Sequence, residues 1–213
     1  MLHEKTAVRT FKEVINQEKA SCNKCGLVEN HCLCPKIQGL KSQCKFVLLT
    51  HKREMTRTTN TGRLIEDAIE ETLTLVWDRT KPDPLLLNLL KSQDYQAYLI
   101  FPGDREEEEK KLVVYEKNDK TPLFIMIDAT WKEARKILRK SDYLKDLPIL
   151  DLKLSKKSIY FLRRHSDDHH LCTAEVGIAL LGLIEDEKAK AYLEAYYHRF
   201  LTLYEEGRKN ENH

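Results

Sequence analysis

The chain has 213 residues, 41% hydrophobic and 33% charged, a balance that allows one full hydrophobic core and excludes a disordered tail protein. Lys and Arg total 36 against 34 Asp and Glu, so the net charge of +2 excludes bulk attraction as the basis of nucleic-acid binding, and such a partner must meet a local patch. No apolar run approaches the ~20 residues of a membrane span, and MLHEKTAVRT lacks the apolar stretch of a signal peptide, so the expected setting is the cytoplasm, with no membrane partner.

Residues 5–20 read as a charged helix. Cys22, Cys25, Cys32 and Cys34 then fall within thirteen residues, while Cys44 and Cys172 stand apart. In a reducing compartment such clustering points to metal before disulfides. Four soft thiolates suit one tetrahedral zinc, and four protein ligands leave no open position, so the site reads as structural. Binding would also fold a segment that has little core of its own. His31 is a competing ligand, and surface thiols or a Cys22–Cys25 redox pair are the plainer readings. Residues 1–40 are thus expected as an N-terminal helix with a four-cysteine zinc-binding segment, and 41–213 as the main domain.

KFVLLTH (45–51) is a short apolar run and predicts a buried strand. From Thr61 onward, Leu64, Ile65, Ala68, Ile69 and Leu73 recur at helical spacing. A strand at 73–77 and a short helix at 83–92, with Pro84 near its first turn, follow. AYLIFPG (97–103) reads as a strand ending in a Pro-Gly turn, and the charged segment after it as a helix or a solvated excursion. PLFIMID (122–128), six apolar residues and then an acid, is the clearest buried strand. Trp131–Lys140 is helical, 148–154 a strand and 173–184 an apolar helix. Residues 187–207 carry Tyr192, Leu193, Tyr196, Phe200 and Leu203 on one helical face. Alternating strands and helices predict an α/β fold with a mostly parallel sheet. Ligands of such sheets sit outside the carboxyl ends of the strands, which selects the loops after His51, Phe101 and Ile127.

Four segments carry candidate chemistry. Asp128-Ala129-Thr130-Trp131 stands where the clearest strand gives way to a helix. Asp128 reads as a base acting on bound substrate or as a helix cap, and Thr130 as a cap. Trp131 reads as a stacking platform or, the more ordinary fate, as a core anchor. Thr59-Asn60-Thr61-Gly62-Arg63-Leu64 leads into a helix and offers backbone N–H groups and a guanidinium to an anion. Leu171-Cys172-Thr173-Ala174-Glu175 is another polar helix entry, with Glu175 either holding a ligand amine or serving the helix dipole. Ser158–Arg164 is apolar and aromatic, and ends in Arg163 and Arg164.

Together these segments resemble the DTW-domain family, the tRNA-uridine aminocarboxypropyltransferases. The Asp-x-Thr-Trp motif is matched by Asp128, Thr130 and Trp131. The resemblance extends to the four cysteines, to His51 and Glu54, and to TNTGRL, LIFPG (99–103) and LCTAE, in the family's order over about residues 20–180. Family members commonly carry Ser at Cys172 and Ala at Val176. The resemblance implies a SPOUT-like sheet whose carboxyl-terminal part ties a trefoil knot, an exception to ordinary connection rules. It implies S-adenosylmethionine as the donor, consumed to methylthioadenosine. It also implies a site in which Thr61, Gly62, Arg63, Phe101, Pro102, Gly103, Asp128, Cys172, Thr173 and Glu175 hold the donor, with Asp128, Thr130 and Trp131 as the catalytic set.

The expected reaction is alkylation of uridine N3, with Asp128 as base and Arg63 and Glu175 gripping the donor's carboxylate and amine. Lys132, Arg135, Lys136, Arg139 and Lys140 recur at i, i+3, i+4, i+7 and i+8. They form one cationic stripe opposite Trp131, Ala134 and Leu138. That stripe is an ordinary solvated face or, starting beside Asp128, a tRNA-binding surface that Arg163 and Arg164 extend. His169 and His170 beside Asp167 and Asp168 read as a polar loop. The rival functions are a SPOUT-type RNA methyltransferase and a non-catalytic zinc-bearing RNA-binding adaptor. The expected state is a monomer.

Overall fold

The computed structural model describes Cys22, residues 24–150, Leu152, Tyr160 and residues 171–210, with residues 209 and 210 by backbone alone. The helix expected over 5–20, the Ser158–Arg164 stretch except Tyr160, and His169 and His170 lie outside the described residues. In chain order the elements are β1 (Lys45–Thr50), α1 (Gly62–Ala68), β2 (Leu73–Val76), α2 (Pro84–Lys91), β3 (Tyr95–Ile100) and α3 (Glu106–Glu109). They continue with β4 (Leu112–Val113), β5 (Thr121–Asp128), α4 (Trp131–Lys140), β6 (Ile149–Leu150), α5 (Thr173–Leu183) and α6 (Glu187–Asn210).

The six strands form one parallel sheet in the order β2-β1-β5-β3-β6-β4. Its central strands are apolar on both sides because both faces are covered. Phe46, Leu48, Phe124 and Met126 face α1, α5 and α6 through Leu64, Ile65, Leu180, Leu193 and Phe200. Their neighbours Val47, Leu49, Leu123 and Ile125 face the opposite layer, where Leu86 of α2 and Ala134 and Ile137 of α4 are buried. Alternation along each strand therefore feeds two cores.

Two expectations shift. The charged excursion after β3 contains, besides the short α3, a two-residue strand at the start of the apolar Leu112–Tyr115 run. Of the strand expected over 148–154, the described residues show β6 at Ile149–Leu150, and residues 151, 153 and 154 lie outside them. The chain from β6 to α5 lies, Leu152 and Tyr160 apart, outside the described residues. Within the cysteine segment, Cys25, Leu27 and Leu33 are buried in the same core as α1 and α6.

The sheet order creates one feature that matters for function. From β1 the chain crosses by α1 to β2, on the outer side of β1. From β5 it crosses by α4, on the other face, past β3 to β6. Strands β1 and β5 are neighbours whose connections leave in opposite directions, and such a switch point opens a crevice at the strands' carboxyl ends. No helix among the described residues is long and apolar enough to cross a membrane.

Candidate active site and metal centre

Thr50 and Asp128 are register partners at the ends of β1 and β5, at the switch point itself. Asp128 is 4% exposed. Its Oδ2 accepts from Asn60 Nδ2 at 2.7 Å and from Thr50 Oγ1 at 3.4 Å, and its Oδ1 accepts from Thr173 Oγ1 at 2.7 Å. The amide of Asn60 has only one workable orientation. Gly62 N–H, which can only donate, reaches Asn60 Oδ1 at 2.7 Å, so the NH2 group must face Asp128. Thr61 Oγ1 accepts from Ala174 N–H at 3.2 Å and ties the same turn to the start of α5. One carboxylate thus gathers the end of β1, the TNTGR turn and the LCTAE helix entry. Gly62 is required by this approach, since a Cβ there would stand 3.1 Å from both Asp128 Oδ2 and Asn60 Oδ1.

Asp128 is not the cap of α4. Thr130 is, in a capping box with Glu133. Glu133 N–H donates to Thr130 Oγ1 at 3.4 Å, while Glu133 Oε2 accepts from Thr130 N–H at 3.2 Å and from its hydroxyl at 2.7 Å. The Thr130 hydroxyl, expected in the catalytic set, is engaged at the helix start. Thr130→Ala is expected to lower stability by about 1 kcal/mol, some 2–4 °C in Tm, while turnover per folded molecule stays near normal. A melting curve beside a transfer assay checks both.

Trp131, expected more readily in the core, is 40% exposed. As the first residue of α4 it overhangs the sheet's carboxyl edge. Its ring meets Phe101 edge-on, centroids 6.3 Å apart, so it borders the LIFPG turn. That turn is shaped by Gly103, where a Cβ would lie 2.4 Å from Leu112 Cδ2. Phe101 is buried, and Pro102 and Gly103 are half-buried at the rim.

The two residues assigned to grip the donor are placed otherwise. Arg63 is 1% exposed and turns away from the crevice, its guanidinium against Gly26 and 5.3 Å from the centroid of the Phe200 ring. Its place in the sequence, beside a polar loop, carried no sign of this. Glu175 takes its helical role, with Oε2 accepting from Cys172 N–H at 2.8 Å in a box that closes the start of α5. Burial, and then the Glu175 carboxylate, push the Cys172 thiol up to about 12, which disfavours the thiolate.

On α4, Lys132, Lys136, Arg139 and Lys140 are exposed, and the buried face is Ala134 with Ile137. Arg135 leaves the stripe. It pairs with Asp104, lies 3.8 Å from Glu108 Oε1, and stacks 5.8 Å from the centroid of Phe101. Its hydrogen bond holds the Asp104 carboxyl low, while burial and then Asp104 push Glu108 up. Arg163 and Arg164 lie outside the described residues.

Residues that sequence reasoning left out of the site are Thr50 and Asn60. Asn60 two positions before a helix-opening glycine is an Asx-turn signal and could have been found. Thr50 announces itself only through register. His51 also borders the site, with Nδ1 3.5 Å from Glu133 Oε1 and its N–H donating to the Asp128 carbonyl at 3.0 Å.

The four cysteine sulfurs lie within 4.8 Å of one another. Cys22 and Cys34 are 3.5 Å apart, and Cys25 and Cys32 3.9 Å. Tetrahedral ligands at Zn–S of ~2.3 Å stand about 3.8 Å apart, so the cluster fits one zinc-sized ion. His31 places neither ring nitrogen in this group, and its Nδ1 is bonded to the Leu203 carbonyl at 3.1 Å. Burial opposes the charge on Cys22, but N–H donation from Cys25 and Lys24 and contacts with Cys32 and Cys34 bring it down to about 7. Burial pushes Cys34 up. An ion would have to displace that proton, so metal retention should weaken as pH falls.

The DTW domain family matches residues 19–205, which takes in the four cysteines, all six strands and most of α6. No solved structure matches. With the namesake Asp-x-Thr-Trp residues at the centre of a conjunction of β1, β5 and α5, and the match covering most of its length, the chain belongs to the DTW domain family.

Proposed function

We propose that this protein transfers the 3-amino-3-carboxypropyl group of S-adenosylmethionine to N3 of a uridine in tRNA, releasing methylthioadenosine. The observation that carries the reading is the convergence of TNTGR, Asp128 and Thr173 at the switch point, with an exposed indole at its rim. The SPOUT-like class and the knot belong to the same reading.

The donor substrate supplies a carbon already activated by its sulfonium. The protein's task is then to orient that carbon and to help N3 lose its proton. Asp128 is the base, aimed by Asn60 and Thr50 on one oxygen and reached through Thr173 on the other. Trp131 offers the acceptor base a stacking surface. Because Arg63 and Glu175 are engaged elsewhere, the grip on the donor falls to the Phe101–Gly103 loop and the Thr173 end of α5. Selection among the three carbons on sulfur is a matter of that orientation.

The exposed Lys132, Lys136, Arg139 and Lys140 lead away from Trp131 and would track the tRNA backbone. Changing Lys132 and Lys136 together to Ala is expected to weaken tRNA binding. It should also reduce the slope of log affinity against log salt by about 2, roughly one per lost phosphate contact. Equal slopes would assign the stripe to solvent alone.

The reaction is tested with purified protein, unmodified tRNA transcript, and S-adenosylmethionine labelled in its carboxyl carbon or in its methyl. Carboxyl label entering the RNA without methyl label is the expected result. Methyl label alone would make the protein a methyltransferase. Failure to bind the donor, with tRNA still bound, would favour the non-catalytic adaptor.

A further inference from the structure

Arg63 is the largest fully buried side chain described, and it has a charge to account for. Its Nε and both Nη atoms find no hydrogen-bond acceptor among the described residues. A guanidinium does not shed its proton to escape burial, so it needs a counter-charge or a dense set of acceptors. The neighbouring carboxylate, Asp67, is itself paired to Lys24 Nζ at 3.4 Å and accepts from the Tyr196 hydroxyl at 3.3 Å. Phe200 presents a ring face, which attracts a cation but does not neutralise it.

The guanidinium points instead into the cysteine knuckle. A Cβ on Gly26, the residue after Cys25, would stand 2.2 Å from Nη1 and within 2.8 Å of Cζ and Nη2. Gly26 has φ of +70°, and its N–H donates to the Cys22 carbonyl at 2.8 Å, closing the loop that presents Cys22 and Cys25. Both backbone conformation and space therefore demand glycine, and the space is filled by Arg63. A divalent ion held by four thiolates carries a net charge of −2. With Cys25 buried and the other three thiols half-buried against the core that α1 and α6 share, that centre would also need compensation from the protein.

We infer that Arg63 is the built-in counter-cation of the four-thiolate metal centre, so that the metal and the TNTGR turn are held as one unit. The two halves fit in charge, burial and position. Arg63 follows directly on Gly62, whose N–H orders Asn60 against Asp128. The metal centre lies away from the crevice yet fixes the helix that begins there. Arg63 is a positioning residue by this account, acting through the metal on one side and α1 on the other.

The test compares zinc-loaded wild type, Arg63→Met and Arg63→Lys, with zinc titrated away by a chromophoric chelator at fixed pH. Melting is followed with zinc and after stripping. Partners of this kind contribute about 10–100-fold to metal affinity, and Arg63→Met is expected to lose that much, with Arg63→Lys retaining most of it. The stripped proteins should reverse the order, because the metal-free wild type buries a cation whose neighbouring carboxylate, Asp67, is shared with Lys24, and the Met variant does not. Equal zinc affinity in wild type and Arg63→Met would overturn the inference. So would an equal drop in Tm with and without zinc, which would mark a packing role only. Should Arg63→Met fail to fold, Arg63→Lys decides. Zinc held nearly as tightly as in the wild type supports a counter-charge, and loss as large as 10–100-fold overturns it. None of these readouts depends on which group the enzyme transfers.

Discussion

Asp128→Asn is expected to abolish transfer while leaving a folded protein that still binds its donor. General-base assistance is worth about 10²–10⁴-fold, so the loss should be evident in a single-turnover assay. The geometry explains why the fold survives. A carboxamide at 128 can keep its oxygen toward Asn60 Nδ2 and Thr50, and turn its NH2 toward Thr173. The Thr173 hydroxyl, now a donor to Oδ1, can rotate and accept instead. The cage loses charge assistance but no partner, a cost of about 1 kcal/mol. Asp128→Ala differs, because it leaves the fully buried Asn60 amide without its acceptor, and about 1–3 kcal/mol should follow from that group alone. Melting temperatures separate the two variants, and transfer rates per folded molecule show what each does to catalysis. Unchanged turnover in Asp128→Asn would remove Asp128 from the role of base and leave it as the organiser of the crevice.

Cys25→Ser should release the metal and destabilise the whole domain, not only the amino-terminal segment. Cys25 is fully buried, and Leu27 and Leu33 beside it belong to the core shared by α1 and α6. Further ties cross the same boundary. Gln38 N–H donates to the Tyr192 hydroxyl at 2.9 Å, and Leu40 N–H donates to the Ala68 carbonyl at 2.8 Å. A ligand held 1,000-fold above its Kd stabilises by about 4 kcal/mol, and at 2–4 °C per kcal/mol for a chain of this size the expected fall in Tm is roughly 8–16 °C. Cys44→Ser is the control. Cys44 is also buried, but it lies outside the cluster and contacts Ser42 at 3.4 Å, so zinc content should be unaffected. Metal content by mass spectrometry decides the matter, and equal zinc in wild type and Cys25→Ser would end the metal reading.

Much of the scaffold was legible along the chain. PLFIMID announces itself because a strand covered on both faces is apolar at every position, and β5 is that strand. The stripe on α4 was legible because charges at helical spacing share a face whatever the helix packs on. Other features had no local signal. The apolar run Leu112–Tyr115 does not say which of its residues pair, and β4 forms at two of them because β6 lies beside them. Trp131 shares a helical face with Ala134, which is buried, so periodicity assigned it to the core. It escapes because the first turn of α4 projects past the end of β5 and has no sheet beneath it.

The sequence by itself determined the α/β class, the succession of the central strands and helices, and a group of four thiols that could hold a metal ion. Each of these is written in short-range patterns: periodicity, spacing, and the chemistry of side chains a few residues apart. The tertiary structure alone decided which segments meet. The insertion of β5 between β1 and β3 brings Thr50, Asn60 and Thr173 to Asp128, across separations of 78, 68 and 45 residues. It also decided the direction of Arg63. In the sequence that residue belongs to the polar loop of the crevice. In the fold its charge lies beside Gly26, where the absence of a Cβ leaves room for the guanidinium next to Phe200 of α6.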